Sequence, residues 1–220
     1  TACKDERELV ERDLRLRDLT LNAIAIAADG EIIDPLCGIQ DIEARLLRHT
    51  PGFSQDPIRI LRLARLAARL ADEGFRIAAE TTDLIREMVA DGALTEYRPE
   101  RVWSEIEKAL GESRPWLFFE HLRSLDALKP LMPELDRLFG VPQPEEHHPE
   151  IDTGIHSLMS LQRACELSDD PQVRLAALLH DVGKGTTPRA EWPRHIGHEM
   201  RGARLVDALC RRLRVPRRYL

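Results

Sequence analysis

Only one stretch of this chain carries a strand pattern. Ala23-Ile24-Ala25-Ile26-Ala27, the turn signal Asp29-Gly30, and Glu31-Ile32-Ile33-Asp34 read as two short strands joined at a tight turn. Pro35 and Gly38 close the second of them. Two strands alone make no stable sheet. Residues 1–50 are therefore expected to be the trailing edge of a sheet whose other strands lie upstream, in a chain that starts inside a domain and stops directly after a helix.

From Asp56 onward the pattern is helical. Asp56-Pro57 offers an N-cap followed by proline at the first helical position, and the helix is expected to run to Leu70, ahead of Gly74. Further helices are expected over Ala78–Ala90, Pro99–Leu110, Trp116–Leu125, Pro130–Phe139, Ile155–Leu167, Pro171–Asp181 and His198–Leu213. Gly140 to Pro149, with three prolines and His147-His148, reads as a linker. An aromatic content of only 5%, beside abundant Leu, Ala, Arg and Glu, agrees with a mainly α fold.

A formal net charge of −6 excludes a globally basic nucleic-acid binder, though a local basic stripe can still hold a phosphate backbone. Cys3, Cys37, Cys165 and Cys210 are far apart without paired spacing, so neither a zinc ribbon nor a disulfide framework is indicated. Reduced thiols and a cytoplasmic location are expected. No apolar run approaches the ~20 residues that span a bilayer, so no membrane partner is expected.

On the helix after Asp56, Arg59, Arg62, Arg65 and Arg69 share about a third of the helical circumference, while Ile60, Leu63, Ala67 and Leu70 face another side. Such a face can be a solvated surface. It can equally place donors beside the Asp56 acceptor at a cleft, where the pair could read a base edge. Both readings are open on the residues alone.

Four motifs in order carry a family resemblance. Arg17-Asp18-Leu19-Thr20-Leu21-Asn22-Ala23 resembles the "RRDFTINA" motif of class II nucleotidyltransferases. Gly30-Glu31-Ile32-Ile33-Asp34-Pro35, with Gly38 and Asp41, is similar to their next motif. Gln55-Asp56-Pro57-Ile58-Arg59 with Leu61-Arg62 resembles the nucleobase-reading "EDPxRxLR" motif. Glu100-Arg101-Val102-Trp103 with Glu105 and Lys108 resembles "ERxxxExxK". The resemblance is to bacterial CCA-adding tRNA nucleotidyltransferases of the poly(A) polymerase family. It implies that Asp56 and Arg59 pair with the Watson–Crick edge of CTP or ATP, and that Arg62 holds that pair or the triphosphate. Arg17 and Asp18 would contact triphosphate and ribose, and Asn22 would shape the pocket. Glu100, Arg101 and Glu105 would brace a helical neck. Two departures stand out: Leu16 stands where the family has the first arginine, and Gln55 where it has glutamate.

Nucleotidyl transfer also needs Mg²⁺ held by closely spaced carboxylates. The family carries them as an Asp-x-Asp pair after a Gly-Ser turn, and the chain contains neither. The Mg²⁺ ligands are thus expected outside this chain, and the chain alone is not expected to add nucleotides.

Leu175 to Lys184, with His180-Asp181-Val182-Gly183-Lys184 at its end, resembles the signature of HD-domain phosphohydrolases. Adjacent His and Asp at a helix end can both point at one metal. The resemblance implies a divalent transition metal or Mg²⁺ on His156, His180 and Asp181, with His195 and His198 as further ligands or phosphate contacts. His180 and Asp181 would be the catalytic pair, and Lys184 could neutralise a phosphate. A last Asp ligand of the family is expected downstream. Without a ligand, His180 would serve as a helix C-terminal cap.

The fold class expected is mainly α, in three parts. Residues 1–50 form the C-terminal edge of an α/β nucleotidyltransferase head, 51–145 a helical neck and body, and 146–220 an incomplete all-α HD domain. The function implied is addition of CCA to tRNA 3′ ends from CTP and ATP. Beside it stands metal-dependent hydrolysis of 2′,3′-cyclic phosphates, 2′-nucleotides and other phosphate esters. One alternative is an HD phosphohydrolase whose N-terminal half only binds RNA; another is a non-catalytic tRNA-binding remnant. Partners expected are tRNA, CTP and ATP, with monomer and homodimer both open. Arg211, Arg212, Arg214, Arg217 and Arg218 could follow tRNA phosphates or be a solvated face.

Overall fold

The computed structural model describes residues 2–144 and 151–219, the side chains of residues 2–5 excepted. Residues 145–149 of the expected linker, His147 and His148 among them, lie outside the described residues. The fold is mainly helical and divides into two compact units, Thr1–Ala93 and Leu94–Leu220.

The first unit opens with α1 (Ala2–Arg15), which the sequence reading does not anticipate. Its apolar residues are sparse: Leu14 is buried, whereas Leu9 and Val10 are exposed. The expected hairpin forms as β1 (Ala25–Ile26) antiparallel to β2 (Ile32–Ile33), with Ala25 opposite Ile33. Leu14, Ala23 and Ile33 make a small core beneath it. Asp34 then starts α2 (Gly38–Glu43), its carboxylate accepting the N–H groups of Gly38 at 2.7 Å and Ile39 at 2.9 Å.

A second pairing is parallel: β3 (Leu46–Leu47) runs beside β4 (Arg76–Ile77). Between them α3 (Ile58–Arg69) buries Ile58, Ile60, Leu61, Leu63, Ala64, Ala67 and Ala68. Each large aliphatic side chain withdrawn from water there contributes about 1.5–3 kcal/mol. α4 (Ala79–Ala90) follows β4 directly. The β3–β4 pairing is why residues 51–93 belong to the same compact unit as the first fifty, a cut different from the one expected after residue 50.

Among the described residues the second unit is built on helices: α5 (Pro99–Leu110), α6 (Pro115–Ser124), α7 (Leu128–Leu131), α8 (Pro133–Asp136), α9 (Thr153–Leu167), α10 (Pro171–Leu179) and α11 (His198–Arg212). The single helix expected over 130–139 is instead the pair α7 and α8. Met132 precedes Pro133 and sits at φ −136, ψ 67, outside the helical region that a following proline disfavours. α9 and α10 begin with real N-caps. Asp152 accepts from the Ile155 N–H at 2.9 Å and Asp170 from the Gln172 N–H at 2.8 Å, with Pro171 at the first helical position. α10 ends at Leu179, so His180 and Asp181 leave the helix as it opens into a 3-10 turn over Val182–Thr186.

Candidate functional site

In the first unit, the turn after α1 is fastened to the segment before α3. The Thr50 N–H donates to the Asp18 carbonyl at 3.1 Å, the Gly52 N–H to that of Arg15 at 3.1 Å, and the Thr50 hydroxyl to that of Arg17. Gly52 is needed for that approach: a Cβ on it would stand 2.7 Å from the Leu16 Cα. Arg59, on the first turn of α3, completes the fastening. Its guanidinium donates to the carbonyls of Leu16 at 2.7 Å, Arg17 at 2.9 Å, and Gly52.

This turn makes one wall of an open cavity of about 550 Å³ lined by Asp13, Leu16, Arg17, Asp18, Asn22, Arg59 and Arg62. Asp18 is its buried anchor, at 7% exposure. One carboxylate oxygen accepts from the Leu19 N–H and the Asn22 side-chain amide, both at 3.0 Å; the other meets Arg62 at 2.9 Å. Arg17 is held by Asp13 at 3.3 Å and donates to the Asn22 carbonyl at 3.1 Å. Three guanidinium groups against two carboxylates leave the lining net positive, as an anionic ligand requires.

The structure thus gathers Arg17, Asp18, Asn22, Arg59 and Arg62 around one cavity. Asp56 is not among its lining residues; its carboxylate accepts from the Ile58 N–H at 3.2 Å, the local capping role. Arg59 is engaged with backbone, leaving at most two of its five N–H donors for a ligand. Asp13 and Leu16 are lining residues that the sequence reading missed or saw only as a departure from a motif. Asp13 sits in the last turn of α1, a helix that the sequence reading does not anticipate, so nothing in that reading marks it.

In the second unit, His156 on α9 and His180-Asp181 at the end of α10 converge, with one donor atom of each within 4.8 Å of the others. Asp181 is the centre. Its Oδ2 receives Lys184 at 2.7 Å and faces His180 Nε2 at 3.1 Å and His156 Nε2 at 3.7 Å. Its Oδ1 meets His198 Nε2 at 3.2 Å. Burial pushes the Asp181 carboxyl up, but hydrogen bonds from His180 and Lys184 outweigh it and hold the group far below the usual carboxylate range. The same bond raises His180 above an ordinary histidine, against burial. His180 Nδ1 lies 2.8 Å from the Ala177 carbonyl, which leaves Nε2 as the nitrogen facing the cluster. Two imidazole nitrogens and a carboxylate oxygen, the imidazole of His180 oriented by a backbone carbonyl, suit a divalent metal ion.

Gly183 brings the start of α11 against this centre. A Cβ on it would lie 1.9 Å from the His198 carbonyl. His198 therefore reaches Asp181, although it stands outside the three-residue donor cluster. His195 does not join the cluster. It is buried, with Nε2 2.7 Å from the Pro142 carbonyl and Nδ1 enclosed without a partner, and burial lowers it from the ordinary histidine value. Lys184 is likewise withdrawn from solvent, bonded to Asp181 and to the Gln143 amide oxygen at 2.9 Å.

Four arginines of the basic run at and just after the end of α11 are engaged within their own unit. Arg211 pairs with Asp207 at 2.8 Å and Arg212 with Glu134 at 2.7 Å; Arg214 pairs with Glu100 and Arg218 with Glu107. Among the described residues, no helix is long and apolar enough to cross a membrane.

Residues 2–48 match the family "Poly A polymerase head domain", residues 74–139 "Probable RNA and SrmB- binding site of polymerase A", and residues 153–218 "HD domain". A "Multifunctional CCA protein" of Teredinibacter turnerae is 55% identical over 216 residues, 98% of this chain and 53% of the relative. One of Thioalkalivibrio sulfidiphilus is 57% identical over 211 residues, 96% and 52%. The chain thus spans about half the length of the curated relatives it matches. A solved Thermotoga maritima CCA-adding enzyme complexed with tRNA shares the fold at TM-score 0.64 and 23% identity, over 96% of this chain and 46% of that one. A tRNA nucleotidyltransferase complexed with a primer tRNA and an incoming ATP analog matches at TM-score 0.59 and 27% identity, over 77% and 49%. Poly(A) polymerase head, RNA-binding and HD domain matches thus follow one another in the order of the motifs, and similarity to multifunctional CCA proteins, with identity above one half, runs along nearly the whole chain.

Proposed function

We propose that this chain supplies the nucleotide pocket and the hydrolytic centre of an enzyme that adds CCA to tRNA 3′ ends and hydrolyses phosphate esters. The observation that carries the first half is the positively lined cavity around Asp18. Arg17 and Arg62 present cationic donors to a triphosphate, and Asp18 orients Arg62 and Asn22 rather than meeting the ligand with a free charge. Arg59 holds the pocket wall, and its remaining donors, with Asp56, read the base edge of CTP or ATP. Names of the relatives support this reading, since they are CCA proteins and structures in complex with tRNA or nucleotide.

Mg²⁺ for nucleotidyl transfer is held by carboxylates that this chain does not contain, so the chain alone adds no nucleotides. In the full-length protein we expect ordered addition of two C and one A to tRNA lacking its 3′ end. Arg62→Ala should lower kcat/KM for CTP roughly 10–100-fold, the effect of losing a charged hydrogen bond. Unaltered incorporation by that variant, or incorporation by the 220-residue chain on its own, would overturn the assignment.

The second half rests on the His156, His180 and Asp181 cluster. These three would hold a divalent ion, with His198 and Lys184 bound to the Asp181 carboxylate around it. Such an ion polarises a phosphate and acidifies a bound water. His156 and His180 would orient it, and the substrates this reading assigns are terminal 2′,3′-cyclic phosphates and 2′-phosphates. Hydrolysis of a 2′,3′-cyclic nucleotide should vanish with EDTA and in Asp181→Ala, while CCA addition by Asp181→Ala persists. Retained hydrolysis in Asp181→Ala would place the activity elsewhere.

A further inference from the structure

We propose that Gln143 is a positioning residue for the metal centre, holding the Lys184 ammonium so that it fixes the metal-facing carboxylate of Asp181. The inference rests on the metal-centre reading above and adds a residue that carries no metal donor in that reading.

Lys184 is buried, its ammonium 2.7 Å from Asp181 Oδ2 and 2.9 Å from Gln143 Oε1. An ammonium only donates, so the amide must present its oxygen there. That oxygen anchors the end of a flexible four-carbon stem, and the anchored ammonium in turn fixes the oxygen that faces His180 and His156. Lys184 also balances the charge of Asp181, so a bound ion keeps its positive field for an anionic substrate.

Gln143 is itself held firmly. It is buried, its N–H donates to the Ile151 carbonyl at 2.8 Å, and its neighbour Pro142 forms a bridge with Asp152, the N-cap of α9. Thr153 N–H donates to the Val141 carbonyl at 3.0 Å. The segment 141–143 therefore sets the start of the helix bearing His156 and also reaches Asp181 by two routes, one to each oxygen. Gln143 and Lys184 lead to Oδ2. The second route starts at the Pro142 carbonyl, which meets His195 Nε2; the His195 carbonyl meets His198 Nδ1 at 2.9 Å, and His198 Nε2 meets Oδ1. Partners behind the ligands in this way commonly set affinity as well as geometry.

The test is Co²⁺ binding, read from its visible absorption at fixed pH in the full-length protein, with the melting temperature of each metal-free variant measured alongside. Gln143→Met keeps length and bulk but removes the oxygen; Gln143→Glu keeps an oxygen acceptor at the same reach. Gln143→Met should bind Co²⁺ about tenfold more weakly, with Gln143→Glu near wild type. Equal affinity in wild type and Gln143→Met would overturn the positioning role alone. So would equal losses in both variants, which would mark a general packing defect. Failure of the wild type to bind any Co²⁺ would overturn the metal centre, and this role with it.

Discussion

The Arg59 guanidinium ties α3 to the turn after α1 through the carbonyls of Leu16, Arg17 and Gly52. A planar fork can serve several acceptors at once, which a lysine ammonium on the same stem cannot reproduce. Arg59→Lys should therefore cost about 1–2 kcal/mol in urea unfolding as well as weakening CTP binding. A residue that only reads the base would lose affinity and leave stability unchanged. Measuring both in the same variant separates the two roles. Asp18 shows the same economy at the opposite charge: buried and fully bonded, it holds Arg62 and Asn22 in place.

Helices set these side chains by where they stop. α10 ends at Leu179, and its junction with the 3-10 turn over Val182–Thr186 brings His180, Asp181 and Lys184 to one point. That turn lies against α11 with Gly183 at the closest approach. Gly183→Ala forces a methyl into the His198 carbonyl, so either the turn or the helix must move. We expect a loss of about 1–3 kcal/mol in urea unfolding, the usual cost of overpacking, together with weaker Co²⁺ binding. An alanine variant as stable as wild type would show that this contact is slack.

For the molecule as a whole, burial gives an acid sensitivity that does not depend on the metal centre. Burial lowers His121 on α6, and burial together with Arg48 lowers His49. Each stays neutral in the folded protein at a pH where the unfolded chain has already taken up a proton. Their contribution is complete above the ordinary histidine value of about 6.5 and is lost as pH falls from there towards the lowered folded values. Urea unfolding followed from pH ~7.5 to ~5 should show a steeper decline in wild type than in His121→Gln. Parallel curves would mean that His121 titrates alike in both states.

The sequence by itself determined the helical character of most of the chain and the hairpin at 25–33, and it pointed to Arg17, Asp18, Asn22, Arg59 and Arg62 around the cavity and to His156, His180 and Asp181 in the cluster, but not to α1 or Asp13. Periodicity, caps and motif spacing are local, and Asp152, Asp170 and Pro171 act within one helical turn of their positions. What local reading could not supply was partnership across long separations. The β3–β4 pairing joins residues 30 apart in two-residue strands, too short to show a period. The reach of Gln143 to Lys184 spans 41 residues and has no motif. Arg59, His195 and the arginines at the end of α11 look alike in sequence as surface donors or ligands. Only the tertiary structure decided that most of them are bonded within the protein, because a buried or half-buried polar group must find a partner and the nearest is often a carbonyl or carboxylate brought there by the fold.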